Sequence, residues 1–394
     1  MMIVRQFLHW IRTAPAGERA EASNALARAY LYSDLSSDDR AAAEGALLIL
    51  LDDSSPLVRR AIAEAMAASE NAPPAIIYAL ANDQTDIAVL VLERSPLLID
   101  ADLVDIVAVG SQEAQAAIAR RYALPRSVAA AIAEVGAAAA CLAVVENTDA
   151  DIAPFSFDRI VARFSHIAEI REVLFARPDL PSSSRHVLVA KLSQTLVEFV
   201  SARDWLDADR AHRVAKEACE KAVVTLAADT HQADLGALVS HLRETGQLNA
   251  GLILRSLLSG NTSLFEQALA DLSGLPLHRV CALVHDRGGA PFRALYDKAG
   301  LPASVWPAFR EAVQALREAP YRDELGGSYR LKRRMIERVM TRCGDAMLGD
   351  VEPFMTLLRR FATEAAREEA RLYCEDLTAM DSMEPARGQE RVAA

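Results

Sequence analysis

Apolar residues recur along nearly the whole chain at the three- and four-residue spacing of amphipathic helices. Residues 37–51 open with a serine and an acidic first turn and continue into an apolar run, which is typical of a helix start. In the following segment, Val58, Ile62 and Met66 fall on one helical face behind a proline at the helix start. The pattern therefore predicts an all-α protein.

A second regularity has a longer period. The anchors Leu97, Leu124, Ile152 and Leu180 lie 27, 28 and 28 residues apart, and each precedes two short apolar helices. Helix pairs this small cannot bury their apolar faces alone, so successive pairs are expected to stack. We expect Leu124, Ile152 and Leu180 to be buried at equivalent places. The predicted architecture is a right-handed α-solenoid of HEAT-like stacked helix pairs.

The character of the chain changes at Ser182, where the predicted helices become longer. From Asp381 onward no apolar periodicity remains, which is typical of a disordered tail. The predicted organisation is N-terminal helices in residues 1–36, a HEAT-like array in 37–181, a C-terminal domain of longer helices in 182–380 and a disordered tail in 381–394.

Composition agrees with a closely packed helical protein. The 394 residues include 52% hydrophobic and only 6% aromatic residues, which excludes disorder of the whole chain and disfavours β-sandwiches and barrels. The net charge is −11, so the chain as a whole does not attract nucleic acid or anionic lipid.

Two features bear on location. Residues 128–145 contain a single charged residue, Glu134, but they are mostly alanine and Gly136 divides them, so they are predicted to form two buried helices and not a membrane span. The five cysteines lie at least 31 residues apart and form no CxxC motif, which indicates free thiols in a reducing compartment. With no clear secretory signal at the N-terminus, the predicted location is cytoplasmic.

Three segments resemble the alphaproteobacterial domain-of-unknown-function family 2336 (DUF2336), namely PLVRRAIAEAMA, ARPDLPSSSRHVLV and LFEQALADLSGLPLHRVCALVHDRGGAPFRALYDKAGLP. The resemblance covers about residues 33–316. It implies a HEAT-like helical protein of the bacterial cytoplasm and no particular activity, so it gives no catalytic residue to transfer.

A metal-like spacing occurs at His278, Cys281 and His285. These positions lie on one stripe of a helix, and imidazole and thiolate are ligands for transition metals. However, three ligands along two helical turns span roughly 10 Å, which is too far for one ion, so only neighbouring pairs could share a metal. Packing of Cys281 as a core thiol is the favoured interpretation, and the three residues are weak metal candidates.

A basic amphipathic helix is predicted near the C-terminus, in a chain that is otherwise acidic. Its arginines recur every four residues, and an apolar side lies opposite. Such a helix can bind acidic partner segments or phosphates, or it can be a solvated face paired with acidic neighbours such as Glu364, Glu368 and Glu369. The candidate partner-binding residues are Arg330, Lys332, Arg333, Arg334, Arg338 and Arg342.

No motif of a known reaction class occurs in the sequence, and no cofactor is predicted. The leading hypothesis is a non-catalytic helical-repeat scaffold that binds a protein partner. The first alternative is binding of nucleic acid or a phosphate ligand through the Arg330–Arg342 helix, which the negative net charge disfavours. The second alternative is an unrecognised enzyme or metal site near residues 278–285.

Overall fold

A computed structural model describes residues 7, 9–286, 288–318, 333, 335–341 and 352–382. All regular secondary structure in these residues is helical, which confirms the predicted all-α class. The chain divides into two compact units, unit 1 (residues 1–184) and unit 2 (residues 185–394). The division lies close to the change in helix length at Ser182. The predicted tail lies outside the described residues, except for its first two residues, which end the last helix.

Unit 1 is a succession of mostly short helices. They are α1 (Ala16–Tyr32), α2 (Ser37–Leu50), α3 (Pro56–Met66), α4 (Pro74–Ala81), α5 (Thr85–Arg94), α6 (Asp100–Val109), α7 (Gln112–Ala119), α8 (Arg126–Val135), α9 (Ala138–Glu146), α10 (Pro154–Phe164) and α11 (Ala168–Ala176). Proline occupies the first turn of α3, α4 and α10, where its missing N–H has no intrahelical partner to lose.

Alternate helices of unit 1 pack side by side. The odd-numbered helices α1, α3, α5, α7, α9 and α11 each pack against the next odd-numbered helix, and we call this set the odd layer. In the even layer, α2 packs against α4, α6 against α8, and α8 against α10. Consecutive helices join the two layers. This arrangement is consistent with the predicted stacking of helix pairs.

A buried aliphatic residue precedes each of four helices by two positions. Leu124, Ile152 and Leu180 are all buried and lie two residues before α8, α10 and the helix that begins at Ser182. This confirms their predicted burial at equivalent places. The first anchor was assigned one residue too early, because Leu97 is half-buried while Leu98 is buried two residues before α6.

A ladder of side-chain hydrogen bonds ties α7, α9 and α11 each to the preceding odd-layer helix. Arg121, which follows α7, donates to the carbonyl oxygens of Leu92 and Ser95 at 2.6 Å each. The equivalent donor after α9 is Asn147, which bonds the carbonyls of Ala119 and Arg121 at 2.9 and 2.8 Å. These carbonyls lie in or just after the last turn of the preceding odd-layer helix, where no intrahelical partner is available.

Arg177 forms the next step of this ladder. After α11 it donates to the carbonyls of Val145 and Asn147 at 3.1 and 2.8 Å, and its guanidinium also pairs with Asp179 at 2.7 Å. Only 8% of its side chain is exposed. The ladder therefore fixes the spacing of α5, α7, α9 and α11 by buried and half-buried charged and polar donors as well as by apolar packing.

Unit 2 contains both long and short helices. They are α12 (Ser182–Ser201, whose first turn contains the division), α13 (Ala208–Asp229), α14 (Gln232–Glu244), α15 (Ala250–Leu258), α16 (Thr262–Ser273), α17 (Leu277–His285), α18 (Ala290–Lys298), a 3-10 turn (Ala303–Val305), α19 (Trp306–Glu318) and α20 (Glu352–Ser382). Residues 335–341 are also helical.

The core of unit 2 is centred on α16. This helix packs against α13, α14, α15, α17 and α18. Its Phe265 contacts Phe292 and Phe309, and Tyr296 packs against Trp306 beside them, with ring centroids 5.0–6.3 Å apart. Aromatic rings at these separations add to the stabilisation given by buried area. Five of the 22 aromatic residues of the chain thus meet in this core.

None of the helices in the described part of the chain is both long enough and apolar enough to cross a bilayer. Residues 128–145 belong to α8 and α9, which are separated at Gly136 as predicted.

Candidate functional site

Two of the six basic candidates lie among the described residues. These are Arg333 and Arg338, whereas Arg330, Lys332, Arg334 and Arg342 lie outside them. The helix at residues 335–341 buries Met335, Ile336 and Val339 in the core of unit 2. The apolar side of the basic helix is therefore part of the fold.

Arg333 is exposed and paired with acidic side chains. Its Nε donates to Glu337 at 2.8 Å, and its Nη1 donates to Glu369 on α20 at 3.0 Å. Exposed pairs of this kind contribute only about 0–1 kcal/mol to stability. Arg338 is half-buried. At Arg333 the geometry is that of a solvated face paired with a neighbouring helix.

Glu266 on α16 joins two of the three metal candidates. The His285 Nε2 atom lies 2.8 Å from one carboxylate oxygen, and the Cys281 thiol donates to the other at 3.1 Å. His278 is exposed. Burial, and then the bond to Glu266, raise the pKa of Cys281 to about 11, which disfavours the thiolate that metals bind. Among the described residues no group of three or more His, Cys, Asp and Glu side chains could hold a metal ion.

Sequence reasoning missed a buried charge cluster at Arg255. This arginine lies in the middle of α15, where almost every other residue is buried and apolar. Its Nη1 donates to Glu364 on α20 at 2.6 Å, and its Nε lies 3.7 Å from Glu220 on α13. The guanidinium also stacks on Phe361, 4.2 Å from the ring centroid. The only signal in the sequence is one arginine within the run LILRSLL.

A cavity of about 230 Å³ adjoins this cluster. Its wall carries a second ion pair, in which Lys221 lies 3.3 Å from Glu368. Burial raises the pKa of Glu220, and Arg255 opposes that shift. Because the cluster is built from pairs of opposite charge, we interpret it as a brace that holds α13, α15 and α20 together.

An open groove crosses the odd layer of unit 1. It has a volume of about 280 Å³ and is formed by α5, α7 and α9. We call it the odd-layer groove, and its lining residues are Val89, Leu90, Glu93, Gln112, Glu113, Ala116, Arg120 and Ala139. Its walls belong to three successive helices of the ladder. No sequence signal identifies it, because it depends on which helices lie side by side.

The odd-layer groove combines an apolar part with charged side chains. Val89 and Leu90 are half-buried in it, and Ala139 is exposed. Glu93 lies 3.6 Å from Arg120. The pKa of Glu113 is lowered by hydrogen bonds at the start of α7, first to its own backbone N–H and then to Ser111. Glu113 therefore remains an anion. The groove offers apolar contact beside a carboxylate.

The negative charge of the protein is concentrated in unit 1. Residues 1–184 contain 15 basic and 25 acidic residues, so this unit carries −10 of the total of −11. All 15 basic residues are arginines, because the first lysine of the chain is Lys191. Unit 2 is thus nearly neutral, at −1. The field of unit 1 favours basic ligands and disfavours nucleic acid.

The model of the family DUF2336, described as an uncharacterised protein conserved in bacteria, matches residues 87–349. The match spans parts of both units, including the odd-layer groove. No curated protein and no solved structure matches the chain.

Proposed function

The chain belongs to the bacterial DUF2336 family, and we propose that it is a non-catalytic helical-repeat scaffold whose odd-layer groove binds a basic segment of a protein partner. The observation that carries this proposal is the construction of the groove. Its three walls are α5, α7 and α9. The ladder of Arg121, Asn147 and Arg177 bonds the C-terminal ends of these same helices and holds the helices at fixed spacing.

A groove held in this way needs little reorganisation on binding. Ordering of side chains and loops is one of the main costs of association, and a preformed surface avoids part of it. Leu90 and Val89 supply an apolar contact for an aliphatic or aromatic anchor of the partner. Glu113 at the edge supplies the counter-charge for a lysine or arginine near that anchor.

The charge of unit 1 supports a basic partner in particular. A surface with a net charge of −10 accelerates encounters with basic segments and repels acidic ones, and both effects weaken with salt. The same charge speaks against nucleic acid as the ligand of unit 1. In unit 2 the ion pairs of Arg333 with Glu337 and Glu369 do not favour that alternative either.

We place this scaffold in the cytoplasm. The support is that the described cysteines, Cys141, Cys219, Cys281 and Cys374, are all free, as is usual in a reducing compartment. Fractionation of native cells with compartment markers tests this location.

Site-directed photocrosslinking tests the binding proposal. p-Benzoylphenylalanine is introduced in the native host at Ala139 in the odd-layer groove or at Ala79, an exposed alanine of α4 in the even layer. We expect a discrete protein adduct from position 139 and none from position 79. Adding Glu113→Lys should reduce that adduct. Equal adducts from both positions, no adduct from either, or an adduct indifferent to Glu113→Lys would overturn the proposal.

A further inference from the structure

A helical hairpin in unit 2 exposes an apolar surface that the scaffold proposal does not use. The hairpin comprises residues 191–217, which are the second half of α12, a short turn and the first half of α13. Between residues 191 and 210 only Val197 is fully buried. The Cys219 thiol, two residues beyond this segment on α13, donates to the Ser193 hydroxyl at 3.1 Å. Ala211 is also buried, and most of the other residues of this segment are exposed.

Leu192, Leu196 and Phe199 form a stripe on α12. Their four- and three-residue spacing places them along one side of the helix, and all three are exposed. Leu196 is 55% exposed and Phe199 is 44% exposed. Trp205, at the turn, is 65% exposed, and its ring meets that of Phe199 edge to face at 5.8 Å. We call these four residues the hairpin stripe.

The backbone of the turn holds Trp205 in this place. Asp204 adopts a left-handed conformation with φ of 53°, which few residues other than glycine, asparagine and aspartate tolerate. The Trp205 N–H then bonds back to the Val200 carbonyl at 3.1 Å. Arg203 stacks on Phe199 with its guanidinium 3.5 Å from the ring centroid. The two aromatic rings are thus ordered at the surface without a partner, which lowers the entropy cost of covering them.

The charges of the hairpin indicate what covers the stripe. Residues 191–217 contain five basic and five acidic side chains, so the hairpin is neutral in a chain of −11. A two-fold interface brings a surface against itself and therefore tolerates neither a net positive nor a net negative patch. A basic partner is drawn to unit 1, and an anionic membrane gains nothing from a neutral hairpin. We propose that the hairpin stripe pairs with the hairpin stripe of a second copy of this chain.

Antiparallel pairing of two α12 helices also matches the charged residues that flank the hairpin stripe. Lys191 and Glu198 are both exposed and lie seven residues apart on the same side of the stripe. A two-fold axis near residue 195 reverses the helix direction, so Lys191 of one copy approaches Glu198 of the other, twice. The apolar stripe supplies the affinity and this reciprocal charge pair sets the register.

Sedimentation equilibrium of the full-length protein tests the pairing, over a concentration series that reaches the high micromolar range. We expect a reversible dimer. The double substitution Leu196→Glu and Phe199→Glu should raise the dimer dissociation constant at least about tenfold. The matched control is Val109→Glu, an exposed valine at the end of α6, which should leave the dimer unchanged. Circular dichroism of each variant establishes that the helices are intact.

A charge exchange tests the register. Lys191→Glu and Glu198→Lys should each weaken the dimer, because each places like charges together, and the double variant should restore it. A wild-type protein that stays monomeric, a dimer that survives the stripe substitutions, or stripe-dependent flotation of the monomer with anionic vesicles would overturn the proposal. These outcomes are independent of photocrosslinking in the odd-layer groove, since no stripe residue lines that groove.

Discussion

The imidazole rings of His186 on α12 and His241 on α14 meet edge to face inside unit 2, with their centroids 5.5 Å apart. Only 1% of His186 is exposed. Burial, and to a lesser extent the neighbouring His241, lower the pKa of His186 to about 4 from its ordinary 6.5. The residue is therefore a neutral part of the interior at physiological pH, and its protonation opposes folding.

Unit 2 should lose stability as the pH falls from about 6.5 to about 4. In this interval the unfolded chain binds a proton at His186 that the folded chain does not, so the free energy of unfolding decreases with decreasing pH. A pKa shift of this size corresponds to a decrease of at most about 3 kcal/mol in the free energy of unfolding. Urea denaturation followed at several pH values measures the effect.

The substitution His186→Phe should flatten the pH dependence in that interval. The matched control is His212→Phe, because His212 is exposed on α13 and its replacement should leave the dependence unchanged. If the His186→Phe protein still loses as much stability between pH 6.5 and 4 as the wild type, other groups cause the pH dependence.

Replacing Arg177 with alanine should destabilise unit 1 by about 2–4 kcal/mol. The change leaves the carbonyls of Val145 and Asn147 without their donor in a buried place. Arg126→Ala is the control, because its pair with Asp151 is exposed and should contribute less than about 1 kcal/mol. Thermal denaturation of both variants decides between a structural and a dispensable role for the ladder.

Two glycines of unit 1 should respond to alanine in opposite ways. At Gly136 a Cβ atom would lie 2.5 Å from the carbonyl oxygen of Ile132, so the backbone must shift and we expect a loss of about 1–3 kcal/mol. At Gly45, inside α2, a Cβ atom meets nothing within 4 Å, and alanine should raise the free energy of unfolding by about 0.5–1 kcal/mol. Melting temperatures of the two variants that move in the same direction would contradict this account.

Cys281 should react slowly with iodoacetamide at pH 8. Its thiol pKa of about 11 leaves about a hundredfold less thiolate than a thiol with the ordinary value of 9.0. Cys374 is exposed and should be labelled before Cys281. Because Glu266 raises the pKa of Cys281, Glu266→Gln should accelerate labelling of Cys281 without changing that of Cys374, as peptide mass mapping of a time course would show.

Local patterns predicted most of unit 1. Apolar spacing and proline or serine at helix starts are properties of single segments, and they located the break at Gly136 and the buried anchors Leu124, Ile152 and Leu180. The error at Leu97 arose because two leucines stand together in a turn, where hydrophobicity does not distinguish them. Only the packing of α6 determines that Leu98 is the buried one.

The sites depend on distances in space that the sequence does not contain. Arg255 pairs with Glu364, which lies 109 residues further along the chain, and the single arginine in an apolar run gave no sign of its partner. The odd-layer groove likewise exists because α5, α7 and α9 are neighbours in the odd layer. The basic helix was visible in the sequence, yet the pairing of Arg333 with Glu369 required the position of α20.

The ladder of Arg121, Asn147 and Arg177 makes unit 1 modular. Each donor reaches back only to the helix of the preceding period, at offsets of 26 to 32 residues, so no bond of the ladder skips a period. Excising one complete period would bring a donor against the same kind of helix end that it meets now. The number of periods can therefore change while the contacts between periods stay the same. The odd layer can lengthen or shorten by one period at a time.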